Sequence, residues 1–231
     1  MRLGRDAWLL GALTVAACAT AAALYGAGRA SALEVVSFVT GAVCVWLTVK
    51  ENVWNFPVSL ANVATFLVVF ARARLLADAG LQVIYFVLTL IGWYQWLYGG
   101  EGRTKLSVGR VPRPEAALVA LSGIALTAGL YVLLPRLGGS AVFWDALTTS
   151  LSLCAQWLLN RKYVENWYCW IAVDLVYVPL YLYKGLYLTS LLYAVFLCMA
   201  TTGLIEWRRT WRRQREPAAA PPDAFDVVVP V

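Results

Sequence analysis

An aspartate lies among aromatic residues in the segment ENWYCWIAVDLVYVPLYLYKG, residues 165–185. Trp167, Trp170 and Asp174 are spaced i, i+3 and i+7, so a helix places all three on one face. Indole faces attract flat rings and cations, and a carboxylate pairs with positive charge or accepts hydrogen bonds. No nucleophile with a base, phosphate loop or metal cluster accompanies them, so the pattern favours binding of a flat ring that can carry positive charge over a reaction.

The surroundings of this segment follow from composition. The chain of 231 residues is 61% hydrophobic and 14% charged, with a mean hydropathy of +0.67, whereas about a quarter of residues are charged in soluble proteins. Eleven tryptophans and twelve tyrosines suit a chain that is anchored at two membrane interfaces. The sequence therefore predicts an integral membrane protein.

Asp174 has two interpretations in such a protein. A carboxylate inside a membrane costs at least ~2.5 to 3.5 kcal/mol on insertion scales, so such residues face a bundle interior or a water-filled cavity. Tyr177 and Tyr181 continue the same helical face. Asp174 either meets a ligand, or it accepts hydrogen bonds from a tyrosine or serine of the next helix and fixes packing.

Residue counts disfavour several function classes. The chain has no histidine, the commonest metal ligand and general base, which argues against an enzyme, a metal site or a cofactor. The five cysteines lie in apolar runs without a CxxC pair, so they are expected to be packing residues. The net charge of +6 comes mostly from basic residues between and after the apolar runs, where membrane topology explains them without nucleic acid.

Eight apolar segments approach the length of about 20 residues that a bilayer span needs. Placing the N-terminus in the cytoplasm puts fourteen Lys and Arg residues inside and five outside, which accounts for all nineteen. Cytoplasmic loops are enriched in Lys and Arg, so this asymmetry predicts a multi-pass protein with both termini cytoplasmic. The predicted spans are residues 7–26, 33–49, 54–71, 79–98, 116–134, 142–159, 167–183 and 186–207.

The two ends of the chain lie outside the predicted core. Residues 1–31 are expected to form an additional N-terminal helix, but Arg2, Arg5 and the stretch ending VAAC at Cys18 also fit a lipoprotein signal that is cleaved at Cys18. Residues 208–231 are predicted to be a tail that is basic at first and then rich in proline and alanine.

An internal repeat organises the other spans. The segment LLADAGLQVIYFVLTLIGWYQW aligns with YLTSLLYAVFLCMATTGLIEW. The repeat predicts a core of residues 32–207, in which three-helix bundles 32–98 and 141–207 are joined by a linker helix, 115–135. One connecting helix makes the bundles parallel, in a 1+3+1+3 order around an axis along the membrane normal. The aligned pairs are Gly92 with Gly203 and Trp96 with Trp207 at an offset of 111, Trp54 with Trp167 at 113, and Asn62 with Asp174 at 112.

These segments resemble the PnuC family of bacterial vitamin transporters. The resemblance rests on ENVWNFPVSLANV, RLLADAGLQVIYFVLTLIGWYQW and NRKYVENWYCWIAVDLVYVPLYLYKGLYLTSLLYAVF, and covers roughly residues 34–207. The family signature WxxWxxxN/D corresponds to Trp167, Trp170 and Asp174. The resemblance implies a SWEET-like all-α fold in the bacterial inner membrane and a homo-oligomer, for which it suggests a trimer. The further site residues that it implies are Asn62, Gln82, Tyr85 and Gln156.

The resemblance also implies facilitated diffusion of nicotinamide riboside, with net uptake driven by a cytoplasmic kinase that phosphorylates the substrate without needing a stable contact. Other members carry thiamine or riboflavin, and Asp174 favours the cationic substrates over neutral riboflavin. Asn62, Gln82 and Gln156 have an alternative role in hydrogen bonding between helices. A proton-coupled carrier that titrates Asp174 and a non-transporting membrane scaffold or enzyme are the other function classes considered.

Overall fold

A computed structural model describes residues 32–72, 76–137, 142–183, 185 and 187–216, with scattered positions between 11 and 28. The described positions from Gly11 to Gly26 are helical, in agreement with the predicted first span, much of which lies outside the described residues. Residues 217–231 of the predicted tail also lie outside them. The helices that follow are α1 (Ala32–Val49), α2 (Asn55–Arg72), α3 (Leu76–Tyr98), α4 (Arg113–Leu133), α5 (Val142–Asn160), α6 (Asn166–Tyr183) and α7 (Tyr187–Arg213).

The seven helices form two bundles of three, and α4, which lies between the bundles in sequence, packs against α5 of the second bundle. α2 packs against α1 and α3, and α6 packs against α5 and α7. The bundles meet through α1 with α7 and through α3 with α5, and a two-fold rotation exchanges these two contacts. The predicted all-α architecture, with two parallel three-helix bundles joined by one helix, is confirmed.

A single offset of 111 residues, as between Trp96 and Trp207, relates the bundles. Hydrogen bonds in the turn before α2 recur in the turn before α6: Asn55 N donates to Asn52 O at 3.1 Å, and Asn166 N donates to Tyr163 O at 3.2 Å. The offsets of 113 and 112 predicted from the sequence are therefore wrong. Trp54 is 66% exposed and Trp167 only 1%, because the equivalent of Trp167 is Phe56, also 1% exposed. Asp174 is likewise equivalent to Val63, and Asn62 to Val173.

The helix surfaces suit a bilayer. Among the described residues, the helices long and apolar enough to cross a membrane by length and composition are Ala79–Tyr98, Arg113–Arg136 and Thr189–Arg213, and Phe38–Val49 and Asn55–Val68 are shorter apolar helices. α4 contains no buried residue and leaves large apolar side chains such as Leu118, Leu121 and Ile124 exposed. Such exposed apolar surface would be a liability in water and fits contact with lipid.

The loop between α3 and α4 docks on the turn between α5 and α6. Gly109 N donates to Lys162 O at 3.1 Å, and Val164 N donates to Gly109 O at 3.0 Å. At the start of α4, Glu115 accepts hydrogen bonds from Tyr163 Oη at 2.9 Å and Trp157 Nε1 at 3.2 Å. These contacts fix the linker helix to the second bundle.

Candidate functional site

The first residues of α2 and α6 are set by two buried asparagines. Asn55 Nδ2 donates to Asn52 O at 2.9 Å, and Asn166 Nδ2 donates to Tyr163 O at 2.6 Å. Each asparagine closes the turn before its helix, much as a capping residue does. The aromatic residue that follows each of them, Phe56 or Trp167, then enters its helix in a fixed direction.

Four aromatic rings meet where the bundles touch. Trp96 and Trp207 lie 5.8 Å apart between centroids; Phe56 packs edge-on against Trp96 at 5.1 Å, and Trp167 packs edge-on against Trp207 at 5.3 Å. Trp96 Nε1 donates to Leu159 O of α5 at 3.0 Å, and Trp207 Nε1 donates to Val49 O of α1 at 3.3 Å. We call Phe56, Trp96, Trp167 and Trp207 the four-ring cluster. It ties each bundle to the other.

A cavity of about 390 Å³ lies next to this cluster, within the range of small-molecule sites. Six of the seven residues predicted for the site line it: Asn62, Tyr85, Gln156, Trp167, Trp170 and Asp174. Gln82 lies three residues before Tyr85 on α3 and is not among the lining residues.

The cavity lies on the axis between the bundles. Pairs of residues at the 111 offset line it together, among them Gly41 with Ser152, Ser59 with Trp170, and Asn62 with Val173. The side chains differ within these and other pairs, and α6 of the second bundle contributes both Trp170 and Asp174. The chemistry of the cavity is therefore concentrated in the second bundle.

Asp174 is the acidic group of the cavity. It is 3% exposed, and the phenols of Tyr177 and Tyr193 are its electrostatic neighbours. The salt bridges within the described part of the chain do not involve it, and no lysine or arginine is among the residues that line the cavity. Within the described residues, the cavity therefore offers an acidic side chain with no lysine or arginine beside it.

Two of the predicted amides, Asn62 and Gln156, have hydrogen-bond partners in the protein. Asn62 Nδ2 donates to Thr40 Oγ1 on α1 at 2.6 Å, which is the hydrogen bond between helices that the sequence left as its alternative role. Gln156 Nε2 donates to Asn160 Oδ1 at 3.0 Å, and Asn160 Nδ2 donates to Leu88 O on α3 at 2.8 Å. These two hydrogen bonds connect Gln156, through Asn160, to the backbone of α3.

Trp167 has an unpaired donor. Its indole Nε1 is buried and has no hydrogen-bond partner among the described residues. Leaving a buried donor unpaired costs about 1–3 kcal/mol. An acceptor on a bound molecule would relieve that cost.

Tyrosines lie at the end of the cavity away from the four-ring cluster. Tyr193 contacts Tyr177 at 4.7 Å and Tyr181 at 5.3 Å between centroids, and Phe196 packs edge-on against Tyr193 at 5.7 Å. Sequence reasoning placed Tyr177 and Tyr181 on the site-bearing face but missed Tyr193. At the 111 offset Tyr193 is the equivalent of Gln82, which is not among the lining residues, so the repeat carried no signal for Tyr193. Ser59, Thr149 and Ser152 also line the cavity, and no sequence pattern distinguished them from other small residues.

A larger groove of about 840 Å³ lies between α4 and helices α5 and α6. Its walls are mainly apolar residues such as Val119, Ile124 and Leu151, on the surface that fits lipid. It lacks a convergent set of polar groups. The smaller axial cavity is therefore the better candidate for a site. The described residues contain no group of three or more cysteine, aspartate or glutamate side chains that could hold a metal ion.

Comparisons with known proteins agree with this architecture. The sequence profile of the nicotinamide mononucleotide transporter family matches residues 31–209. The nicotinamide riboside transporter PnuC of Escherichia coli (strain K12) is 29% identical over 208 residues, which cover 79% of this chain and 87% of that protein. The riboflavin/roseoflavin transporter RibM of Streptomyces davaonensis is 27% identical over 195 residues, which cover 80% of this chain and 88% of RibM.

A crystal structure of the vitamin B3 transporter PnuC has a similar fold. The TM-score is 0.71 at 22% identity, and the match covers 89% of this chain and 92% of that one.

Proposed function

We propose a substrate and a transport mode on the premise that the chain belongs to the nicotinamide mononucleotide transporter (PnuC) family. It is a multi-pass membrane protein and a vitamin transporter of that family, as the motifs predicted. The prediction that it is not an enzyme is confirmed by the same match. The substrate proposed is nicotinamide riboside, which crosses by facilitated diffusion.

The observation that carries this proposal is the buried Asp174, in a cavity whose described lining residues include no lysine or arginine. Nicotinamide riboside contains a flat pyridinium ring with a positive charge. A cation beside Asp174 offsets the cost of burying the carboxylate, and the faces of Trp170 and Trp167 offer cation–π attraction. The unpaired indole N–H of Trp167 gives a ribose oxygen or the amide oxygen a donor.

Riboflavin is the second candidate, because RibM is similar to this chain over nearly the same length as the Escherichia coli transporter. Its isoalloxazine ring is flat and neutral, so it would use the indoles without pairing charge with Asp174. Thiamine is a third candidate and, as a cation, shares the charge argument with nicotinamide riboside.

The transport mode proposed is downhill diffusion, with Asp174 as the acidic side chain among the described residues that line the cavity. Downhill diffusion then needs phosphorylation by a cytoplasmic kinase for net uptake. The proposal includes both termini in the cytoplasm of a bacterial inner membrane, because fourteen of the nineteen Lys and Arg residues then lie inside. Self-association into a homo-oligomer is part of the same proposal.

The experiment is isothermal titration calorimetry of the purified protein with nicotinamide riboside, thiamine and riboflavin. We expect nicotinamide riboside to bind most tightly and Trp170→Ala and Asp174→Ala to lose at least about tenfold in affinity, the scale of a desolvated cation–π contact. Trp144→Ala and Glu101→Ala are the matched controls, because Trp144 is 47% exposed and Glu101 lies in a surface loop.

Each ligand gives a distinct result. Tighter binding of riboflavin, unchanged in Asp174→Asn, would replace the proposed substrate while keeping the site. Binding of thiamine alone would keep the charge argument and change the substrate. Parent-like binding by both Trp170→Ala and Asp174→Ala would show that the axial cavity is not the site.

A further inference from the structure

An ion pair joins two equivalent residues of the repeat. Glu51 follows α1 and Lys162 follows α5, and the two are related by the same offset of 111. Lys162 Nζ lies 2.9 Å from Glu51 Oε2. Both residues have positive φ angles, 53° for Glu51 and 57° for Lys162, which residues other than glycine rarely adopt. The two turns therefore present their side chains to each other across the axis between the bundles.

The pair is embedded in protein. The Lys162 side chain is 10% exposed and that of Glu51 24%. Lys162 Nζ also donates to Leu106 O at 3.0 Å and lies 4.8 Å from the centroid of the Trp96 ring. A buried ion pair contributes little net stability compared with apolar packing, but it becomes costly when one partner is removed. This pair therefore favours one closed arrangement of the two bundles.

Its position continues a line of contacts from the cavity. Trp167 lines the cavity and packs against Trp207, Trp207 contacts Trp96, and Lys162 lies over Trp96. Thr48 and Leu159, three residues before Glu51 and Lys162, also line the cavity. The four-ring cluster and then the ion pair thus separate the cavity from the end of the molecule where α7 finishes in Arg208, Arg209, Arg212 and Arg213. We call this the basic end.

We propose that the Glu51–Lys162 ion pair is the latch that closes the transport path at the basic end, so that it must break each time the cavity opens there. The inference rests on the proposed transport function, because a path is needed only if a solute passes. Rocking of two parallel repeats about a central site separates residues that face each other across the axis. The pair occupies that position, and each bundle supplies one partner.

The test uses Cys44, which lines the cavity. Purified full-length protein in detergent is treated with a hydrophilic maleimide, and the rate of Cys44 modification is measured by peptide mass spectrometry. The charge reversals Glu51→Lys and Lys162→Glu place like charges together, and we expect each to raise the rate about tenfold or more. The double reversal restores an attractive pair at equivalent positions and is expected to label more slowly than either single reversal.

Two controls separate opening of the path from damage. Arg110→Gln breaks the Arg110–Glu165 pair of 2.8 Å at the same end, which links the α3–α4 loop to the second bundle only, and should leave Cys44 unchanged. Cys154 is 8% exposed and faces α4, where its Sγ lies 3.6 Å from Val119 O, so its labelling should stay constant in folded variants.

The latch would be refuted if the single reversals labelled Cys44 at the parent rate, or if the double reversal labelled it no more slowly than the single ones. A rise in Cys154 labelling that parallels Cys44 in all three variants would likewise overturn it, since global loosening would then account for the result. The measurement contains no vitamin. Failure of the latch is therefore distinguishable from failure of the proposed substrate, which calorimetry with the parent protein tests.

Discussion

Replacing Gly203 by alanine should weaken ligand binding without unfolding the protein. Gly203 on α7 lies against the indole of Trp167, and a Cβ at this position would be 2.5 Å from Cζ2 and 2.6 Å from Cε2 and Cη2. Carbon atoms in ordinary contact are about 3.5–4.0 Å apart, so the indole would have to retreat by roughly 1 Å. Trp207 blocks it on one side, with its ring edge-on at 5.3 Å. Trp167 also lines the cavity, so we expect the displaced indole to move into it.

The cost of this substitution therefore falls mainly on the liganded state. In the empty protein the indole can move into unoccupied space, and alanine is favoured over glycine in a helix by about 0.8–1.0 kcal/mol. In the liganded protein that space is filled, and overpacking costs about 1–3 kcal/mol. At about 1.4 kcal/mol for each tenfold change, affinity should fall by roughly 5- to 150-fold.

Calorimetry and thermal unfolding of the same samples test this reasoning. Gly80→Ala on α3 is the matched control, because no atom lies within 4 Å of a Cβ added there. Gly203→Ala should lose affinity while its apparent melting temperature stays close to that of the control. An affinity within twofold of the control would refute the close approach of Gly203 to the binding site. A large fall in melting temperature with unchanged affinity would show that the indole retreats away from the cavity.

Three further outcomes are expected. Trp96→Phe and Trp207→Phe each remove an indole donor to a carbonyl of the other bundle, so each should lower stability by about 1–2 kcal/mol, or several degrees in apparent melting temperature, and by similar amounts. Burial, together with the hydrogen bond that Tyr163 donates to Glu115, raises the pKa of Tyr163. The stabilising contribution of this phenol is therefore complete below the ordinary phenol pKa of about 10 and is lost as pH rises through the raised value. The apparent melting temperature of the parent should accordingly fall more steeply at alkaline pH than that of Tyr163→Phe. A pH gradient across proteoliposomes should not accumulate nicotinamide riboside, and accumulation would favour the proton-coupled carrier.

The sequence was sufficient for the architecture because its signals are long. Apolar runs of about 20 residues, the asymmetry of Lys and Arg, and the matching segments GWYQW of α3 and GLIEW of α7 each extend over several positions. The register of the repeat could not be read in the same way for α2 and α6. Trp54 drew the alignment toward Trp167, whereas the residue that fills the equivalent buried position is Phe56.

The candidate site divides along similar lines. The helical spacing of Trp167, Trp170 and Asp174 predicts one shared face without tertiary information, and all three line the cavity. Tyr193 and Ser152 reach it because α7 and α5 pack against α6, which depends on contacts between distant segments. The Glu51–Lys162 ion pair could not be predicted from the sequence for the same reason, since two charged residues in separate loops form no periodic pattern.

The two halves keep the same backbone devices and differ in the side chains that face the cavity. The asparagines that start α2 and α6, the indole donors of Trp96 and Trp207, and the positive φ angles of Glu51 and Lys162 all recur at the 111 offset. In contrast, the residues equivalent to Trp170 and Asp174 in the first bundle are Ser59 and Val63. A site with two-fold symmetry would bind a vitamin equally well in two orientations related by that rotation. The difference between the two bundles favours one of these orientations. The aromatic ring of the ligand should therefore lie off the axis, toward α6, while the conserved geometry of the two bundles leaves the opening movement itself symmetric.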